Sequence, residues 1–250
     1  MTALCEEQLI EAAPKRWGLW ATAGFSFLVF VIFVLIQIVV VALFVAIQMA
    51  QNHEGNIAEY ANSVGENGLV LGIATIATTV VCGSVVLILI WVRKGLSIRE
   101  YLGLGSVPAR DQFFWMVLAL ISVGVLDAAR IGLGEPLVPE FMLNTYASAG
   151  FLPLLWLALV FAAPLFEELF FRGFMLEGFR HSRLGALGAI LITSGFWAAI
   201  HLQYGLVDIG GIFLLGVLLG FAKVRTGSLT TPFLIHMFVN LVATIEVALI

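Results

Sequence analysis

Long uncharged apolar runs alternate with short polar connectors along this chain, and their lengths predict helices rather than strands. About 20 apolar residues are enough for a helix to cross a ~30 Å hydrocarbon core. Seven stretches fit or approach that length: Trp17 to Ala50, Gly68 to Val92, Phe113 to Leu133, Phe151 to about Met175, Leu184 to about His201, Ile209 to Ala222, and Leu229 to Ile250. The first is uncharged over 34 residues, ~51 Å as a helix, and must tilt or project beyond the core. The sixth is short. A barrel would show alternating segments of about ten residues, which this chain lacks. Between the second and third runs, Ser97 to Leu104 mixes apolar and charged residues and predicts a short interfacial helix. Gly216-x-x-x-Gly220 has the spacing for close helix packing.

Composition agrees with that pattern. The 250 residues are 61% hydrophobic and 11% charged, against ~25% charged in soluble domains. The mean hydropathy is +1.07. The fold class expected is therefore all-α: a polytopic membrane helical bundle of about seven transmembrane helices, multi-pass, in the cell (inner) membrane. No nucleic-acid partner is expected. Two cysteines, Cys5 and Cys82, cannot build a disulfide scaffold. The first apolar run is too long for a cleaved signal peptide, and the C-terminus carries no prenylation motif.

The basic residues orient the bundle. Lys15 and Arg16 precede the first run; Arg93, Lys94, Arg99 and Arg110 follow the second. Arg172, Arg180 and Arg183 surround the fourth-to-fifth turn, and Lys223 and Arg225 lie before the last run. The alternate loops, 51–67 and 134–150, contain neither Lys nor Arg. Eleven of the twelve basic residues thus fall on one side, which predicts a cytoplasmic N-terminus. Arg130 is the exception, and Asp127, three residues earlier on the same face, is its expected partner.

Polar residues inside the apolar runs carry the candidate chemistry. A carboxylate in hydrocarbon costs ~3 kcal/mol on insertion scales, so Glu167 and Glu168 need both partners and a reason to be there. At helical spacing Glu168 and Arg172 form an i, i+4 pair, an architectural clamp. Glu167 is displaced by 100° and is left to face a polar cavity. Trp197 lies one turn before His201, and His236 one turn before Asn240. Around a turn centred near residue 183, Glu167 and His201 sit 16 and 18 residues away, so they can face each other across a helical hairpin. These side chains suit amide hydrolysis: a carboxylate and an imidazole to take a proton from water, a second imidazole and a carboxamide to bind the oxyanion. No Ser, Thr or Cys is equally marked, so a covalent nucleophile is not favoured. A Glu-His-His set also fits zinc, but the His-Glu-x-x-His pattern is absent, so no cofactor is expected.

Glu167-Glu168-x-x-x-Arg172, Trp197-x-x-x-His201 and His236-x-x-x-Asn240 together resemble the motifs of the CAAX-protease and bacteriocin-processing (CPBP, or Abi) family of intramembrane proteases. Order, spacing and placement on late helices all match over roughly residues 113 to 245. Trp197 departs from the more usual phenylalanine. The resemblance implies two regions: 1–112, with the N-terminal tail, two transmembrane helices and the connector, and 113–250, a CPBP-like catalytic membrane domain. It implies an intramembrane endopeptidase acting on membrane-anchored or lipidated peptides. Glu167 and His201 would activate water, His236 and Asn240 would bind the oxyanion, and Glu168, Arg172 and Trp197 would support the site. A glutamate mechanism without metal fits the eukaryotic branch better than zinc. The pocket is expected to open to the cytoplasm. Two other readings compete: a non-catalytic bacteriocin-immunity or scaffold protein, and a proton-coupled transporter. The lack of repeated halves argues against the transporter.

Overall fold

The computed structural model describes residues 16–51, 57, 60 and 63–250, so the readings of Cys5 and Lys15 lie outside the described residues. Among those residues there are helices and no strands: α1 (Leu19–Gln51), α2 (Gly68–Val92), α3 (Ile98–Leu102), α4 (Ala109–Gly132), α5 (Glu140–Ala147), α6 (Leu152–Arg180), α7 (Gly185–Ala199), α8 (Leu206–Thr226) and α9 (Thr230–Ala248). Six of them, α1, α2, α4, α6, α8 and α9, are long and apolar enough to cross a membrane. The chain is an integral, multi-pass, all-α protein.

Three departures from the sequence reading bear on the site. Helix α7 has 15 residues, about 22 Å, and stops short of a ~30 Å core. It ends at Ala199, so His201 stands in the turn beyond it rather than on a span. Helix α8 runs 21 residues and is not the short span expected. Helix α5 was not anticipated in the 134–150 loop. Its Asn144 donates to Glu66 at 2.7 Å, and Ser148 Oγ bridges the Glu66 carbonyl at 2.7 Å and the Gly68 amide at 3.0 Å, tying α5 to the start of α2.

Helix α6 is the central column. From Leu169 to Phe179 every residue is buried, packed among α1, α2, α3, α7 and α8, while α9 packs on the earlier part of the helix. Helix α1 lies on the outside, with Phe27, Leu35, Ile38 and Leu43 more than half exposed, a face suited to lipid. Gly216 and Gly220 on α8 admit α7: a Cβ at Gly216 would meet Ser194 Cβ and Trp197 Cε3 at 3.0 Å, and one at Gly220 would meet Ile190 Cγ2 at 2.9 Å.

The connector helix α3 is docked into protein rather than spread on a surface. Ser97 and Glu100 form a capping box at its start. Tyr101 and Leu102 are buried. At its end Gly103 takes φ +66°, and a Cβ there would overlap the Gly227 carbonyl, so glycine is required twice over. Lys223 Nζ donates to the Leu102 carbonyl at 2.7 Å, and the Leu229 amide donates to Gly103 at 3.2 Å.

Candidate active site

Pro164 sets the geometry of α6. In a helix interior proline removes a backbone donor and crowds the preceding turn. The helix responds by opening into π register over Leu157–Ala162, and a second π stretch runs over Glu168–Met175. Such bulges gather at functional sites. In i→i+5 register the donor for the Leu159 carbonyl would be residue 164, which has no N–H. Asn240 Nδ2 fills that vacancy from α9 at 2.8 Å. The Ala162 carbonyl likewise accepts from Thr79 Oγ1 of α2 at 2.8 Å.

Three residues after Pro164 the carboxylates begin. Glu168 is 1% exposed, and its Oε1 accepts from Arg172 Nη1 at 2.9 Å, the i, i+4 pair expected. The same oxygen accepts from His236 Nδ1 at 2.9 Å. Glu168 is thus more than a clamp within α6, because it also holds the imidazole of α9. Arg172 is fully buried, donates to the Gly216 carbonyl at 3.2 Å, and lies over the Trp197 ring at 4.5 Å. Its charge is shared by carboxylate, carbonyl dipole and indole face, the way a buried guanidinium is tolerated.

Glu167 turns to another neighbour than the one expected. Its Oε2 accepts the Trp197 indole N–H and stands 3.9 Å from His236 Nε2. Its expected facing residue, His201, is one turn further on, edge-on to Trp197 with ring centroids 5.4 Å apart. Glu167 therefore meets α7 through Trp197. Its side chain keeps 14% exposure, whereas Glu168 keeps almost none.

Hydrogen bonding fixes both imidazoles. His201 Nδ1 is 2.7 Å from the Trp197 carbonyl, which only accepts, so Nδ1 carries the hydrogen. His236 Nδ1 faces the Glu168 carboxylate and is likewise the donor. Each ring presents Nε2 as its free nitrogen, and that of His236 points at Glu167. Asn240 spends one of its two amide hydrogens on Leu159, leaving one. Among the described residues no three His, Cys, Asp or Glu side chains converge as a metal cage would require.

Tyr204 is a neighbour that no motif marked. Its ring stacks on His201 at 6.2 Å, and its hydroxyl donates to Met142 Sδ of α5 at 3.1 Å. The spacing His201-x-x-Tyr204 was the available signal. Tyr204 also lines a cavity of about 390 Å³, with Arg130, Glu135, Glu140 and Asp208. That cavity lies at the end of the bundle away from the basic connectors, and none of Glu167, His201, His236 and Asn240 lines it. Arg130 is buried in its wall, paired with Asp208 of α8 and donating to the Pro136 carbonyl at 2.8 Å, so Asp127 is not its partner. Asp208, 78 residues away in sequence, could not be paired with it by spacing alone.

Residues 149–242 match the family model of type II CAAX prenyl endopeptidase Rce1-like proteins, and this stretch contains all three motifs. The resemblance read from the motifs is therefore shown over this region. A protein of Escherichia coli described as an uncharacterized 24.3 kDa protein is 38% identical over 130 residues. The alignment covers 49% of this chain and 58% of that protein, less than two thirds of its length. No solved structure matches the chain.

Proposed function

We propose that this chain is an intramembrane endopeptidase of the CAAX-protease type, which hydrolyses a peptide bond of a membrane-anchored or lipidated peptide with Glu167 as the base. The family match over residues 149–242 supports the reaction class. The observation that carries the residue assignment is the pairing of two unlike carboxylates with one imidazole: Glu168 holds His236 at Nδ1, and partly exposed Glu167 faces its Nε2 at 3.9 Å. One carboxylate is committed to structure and the other retains access.

In the reaction, Glu167 takes a proton from water as the hydroxide oxygen attacks the scissile carbonyl. His201, whose Nε2 lone pair is free, shares this task. The tetrahedral oxyanion accepts from His236 Nε2–H when that ring carries both protons, and from the remaining Asn240 amide hydrogen. Such donors contribute roughly 3 kcal/mol each in acyl-transfer enzymes. Collapse of the intermediate breaks the C–N bond, and the proton held by Glu167 or His201 passes to the leaving amine. The cavity beside Tyr204 supports access of water from the end bearing loop 134–150. The enzyme would work in the cell membrane.

The test uses Glu167→Gln and His236→Ala with quenched peptides in detergent, each with and without a lipid anchor. Cleavage lost in both variants, with thermal unfolding unchanged, supports the assignment. Full cleavage in either one overturns it.

A further inference from the structure

At the basic end of the bundle one carboxylate gathers more positive charge than it can neutralise. Glu177 of α6 is 1% exposed. Its Oε2 lies 2.8 Å from Arg16 Nε, 3.0 Å from Arg180 Nη2 and 3.8 Å from His181 Nε2, and its Oε1 lies 3.3 Å from Lys223 Nζ. Among the described residues three cationic side chains, Arg16, Arg180 and Lys223, thus surround this one carboxylate. Lys223 is fully enclosed and spends its remaining hydrogens on the Leu102 and Gly227 carbonyls. Arg16 and Arg180 each keep about a fifth of their side chain exposed, 22% and 21%, and the His181 ring keeps 51%. The excess charge therefore faces outward through these three. Burial, and then Arg180 and Arg16, push the His181 pKa below the ordinary imidazole value against the opposing pull of Glu177. Arg93 adds a third guanidinium nearby, over the Trp17 ring at 5.1 Å, with its Nε buried and without a hydrogen-bond partner.

The surroundings say what kind of anion fits. On the flanking helix ends Trp20 is 85% exposed and Trp91 71%, and indoles left outward at this level belong to a membrane–water boundary. Below them the outer faces of α1 and α2 are apolar. A ligand here has a negatively charged head beside Arg16, Arg180 and His181 and an acyl body along those faces. Basic pockets between helices at the cytoplasmic side bind lipid head groups by this logic. We infer that Arg16, Arg180 and His181 form a binding site for the phosphate head group of an anionic lipid, and that the bound lipid pins the segment before α1 to the end of α6. Guanidinium groups suit the phosphate because they donate in a planar fork. This site lies at the far end of α6 from Glu167 and does not depend on the proposed chemistry.

The experiment is thermal unfolding of the full chain in detergent micelles doped with phosphatidylglycerol, with phosphatidylcholine, or supplied with inorganic phosphate alone. The expected result is a dose-dependent rise in Tm with phosphatidylglycerol only. Arg180→Gln should remove that rise, since Arg16 and Lys223 still neutralise Glu177 and the variant folds. Arg183→Gln, an exposed basic residue on the same turn that does not touch Glu177, should keep it. Should Arg180→Gln fail to fold, His181→Gln, at the exposed rim, should at least halve the rise. An equal rise with inorganic phosphate, no rise with phosphatidylglycerol, or a full rise in Arg180→Gln or His181→Gln would overturn the proposal.

Discussion

His236 of α9 gives its Nδ1 hydrogen to Glu168 of α6 at 2.9 Å, on the same carboxylate oxygen that receives Arg172. The second glutamate of the pair is therefore the residue that orients the imidazole facing the first. Glu168→Gln keeps the volume but offers Nδ1 a neutral partner that can present either an oxygen or an amide group. Cleavage should fall ~100-fold or more, as seen when a carboxylate behind a catalytic histidine is replaced by its amide. Steady-state kinetics should place the loss in kcat with KM little changed.

Trp197 supplies a hydrogen bond that the family's more usual phenylalanine cannot. Its indole N–H reaches Glu167 while its ring carries Arg172 and walls His201. Trp197→Phe preserves the aromatic wall and deletes the donor. A hydrogen bond to a charged group is worth ~1.5–3 kcal/mol, so activity should change by about one to two orders of magnitude. Wild-type kinetics in this variant would show that the bond to Glu167 carries no catalytic weight.

Pro164 creates the acceptor that Asn240 uses. Pro164→Ala supplies a backbone N–H that competes for the Leu159 carbonyl and frees the Asn240 amide. Thermal stability should hold or rise, since proline inside a helix costs ~3 kcal/mol, while peptide cleavage falls. Asn240→Ala should cost ~100-fold or more in kcat by removing the donor itself. The proline variant should lie between that and wild type.

Gly216 and Gly220 both let α7 approach α8, but only Gly216 abuts the site. A methyl at either position presses on a neighbour at about the same distance and should cost ~1–3 kcal/mol. Gly216→Ala displaces Trp197 and Ser194, whereas Gly220→Ala displaces Ile190. Similar losses of Tm with a much larger loss of cleavage in Gly216→Ala are the expected pair of outcomes.

The Glu177 cluster should respond asymmetrically. Glu177→Gln strands Lys223, which is 2% exposed, and breaking a buried ion pair from one side costs ~3–5 kcal/mol. Lys223→Met leaves Glu177 with Arg16 and Arg180 and should cost less. Thermal unfolding of both variants ranks them.

The sequence by itself determined the helical membrane class, because runs of apolar residues that long have few other solutions. It also determined the Glu168–Arg172 pair, since both residues stand on one helix at a spacing fixed by backbone geometry. It marked Glu167, His201, His236 and Asn240 through three motifs late in the chain, and the bundle brings Glu167 within 3.9 Å of His236. What it could not contain is which oxygen meets which nitrogen. The hairpin count brought Glu167 to the end of α7, but that helix stops at Ala199, so Trp197 and not His201 takes the contact. Asp208 displaced Asp127 as the partner of Arg130, and Asn240 found a carbonyl exposed by a proline 76 residues before it. These pairings depend on π register, helix length and the angle at which helices cross, and those are settled only when the whole bundle packs.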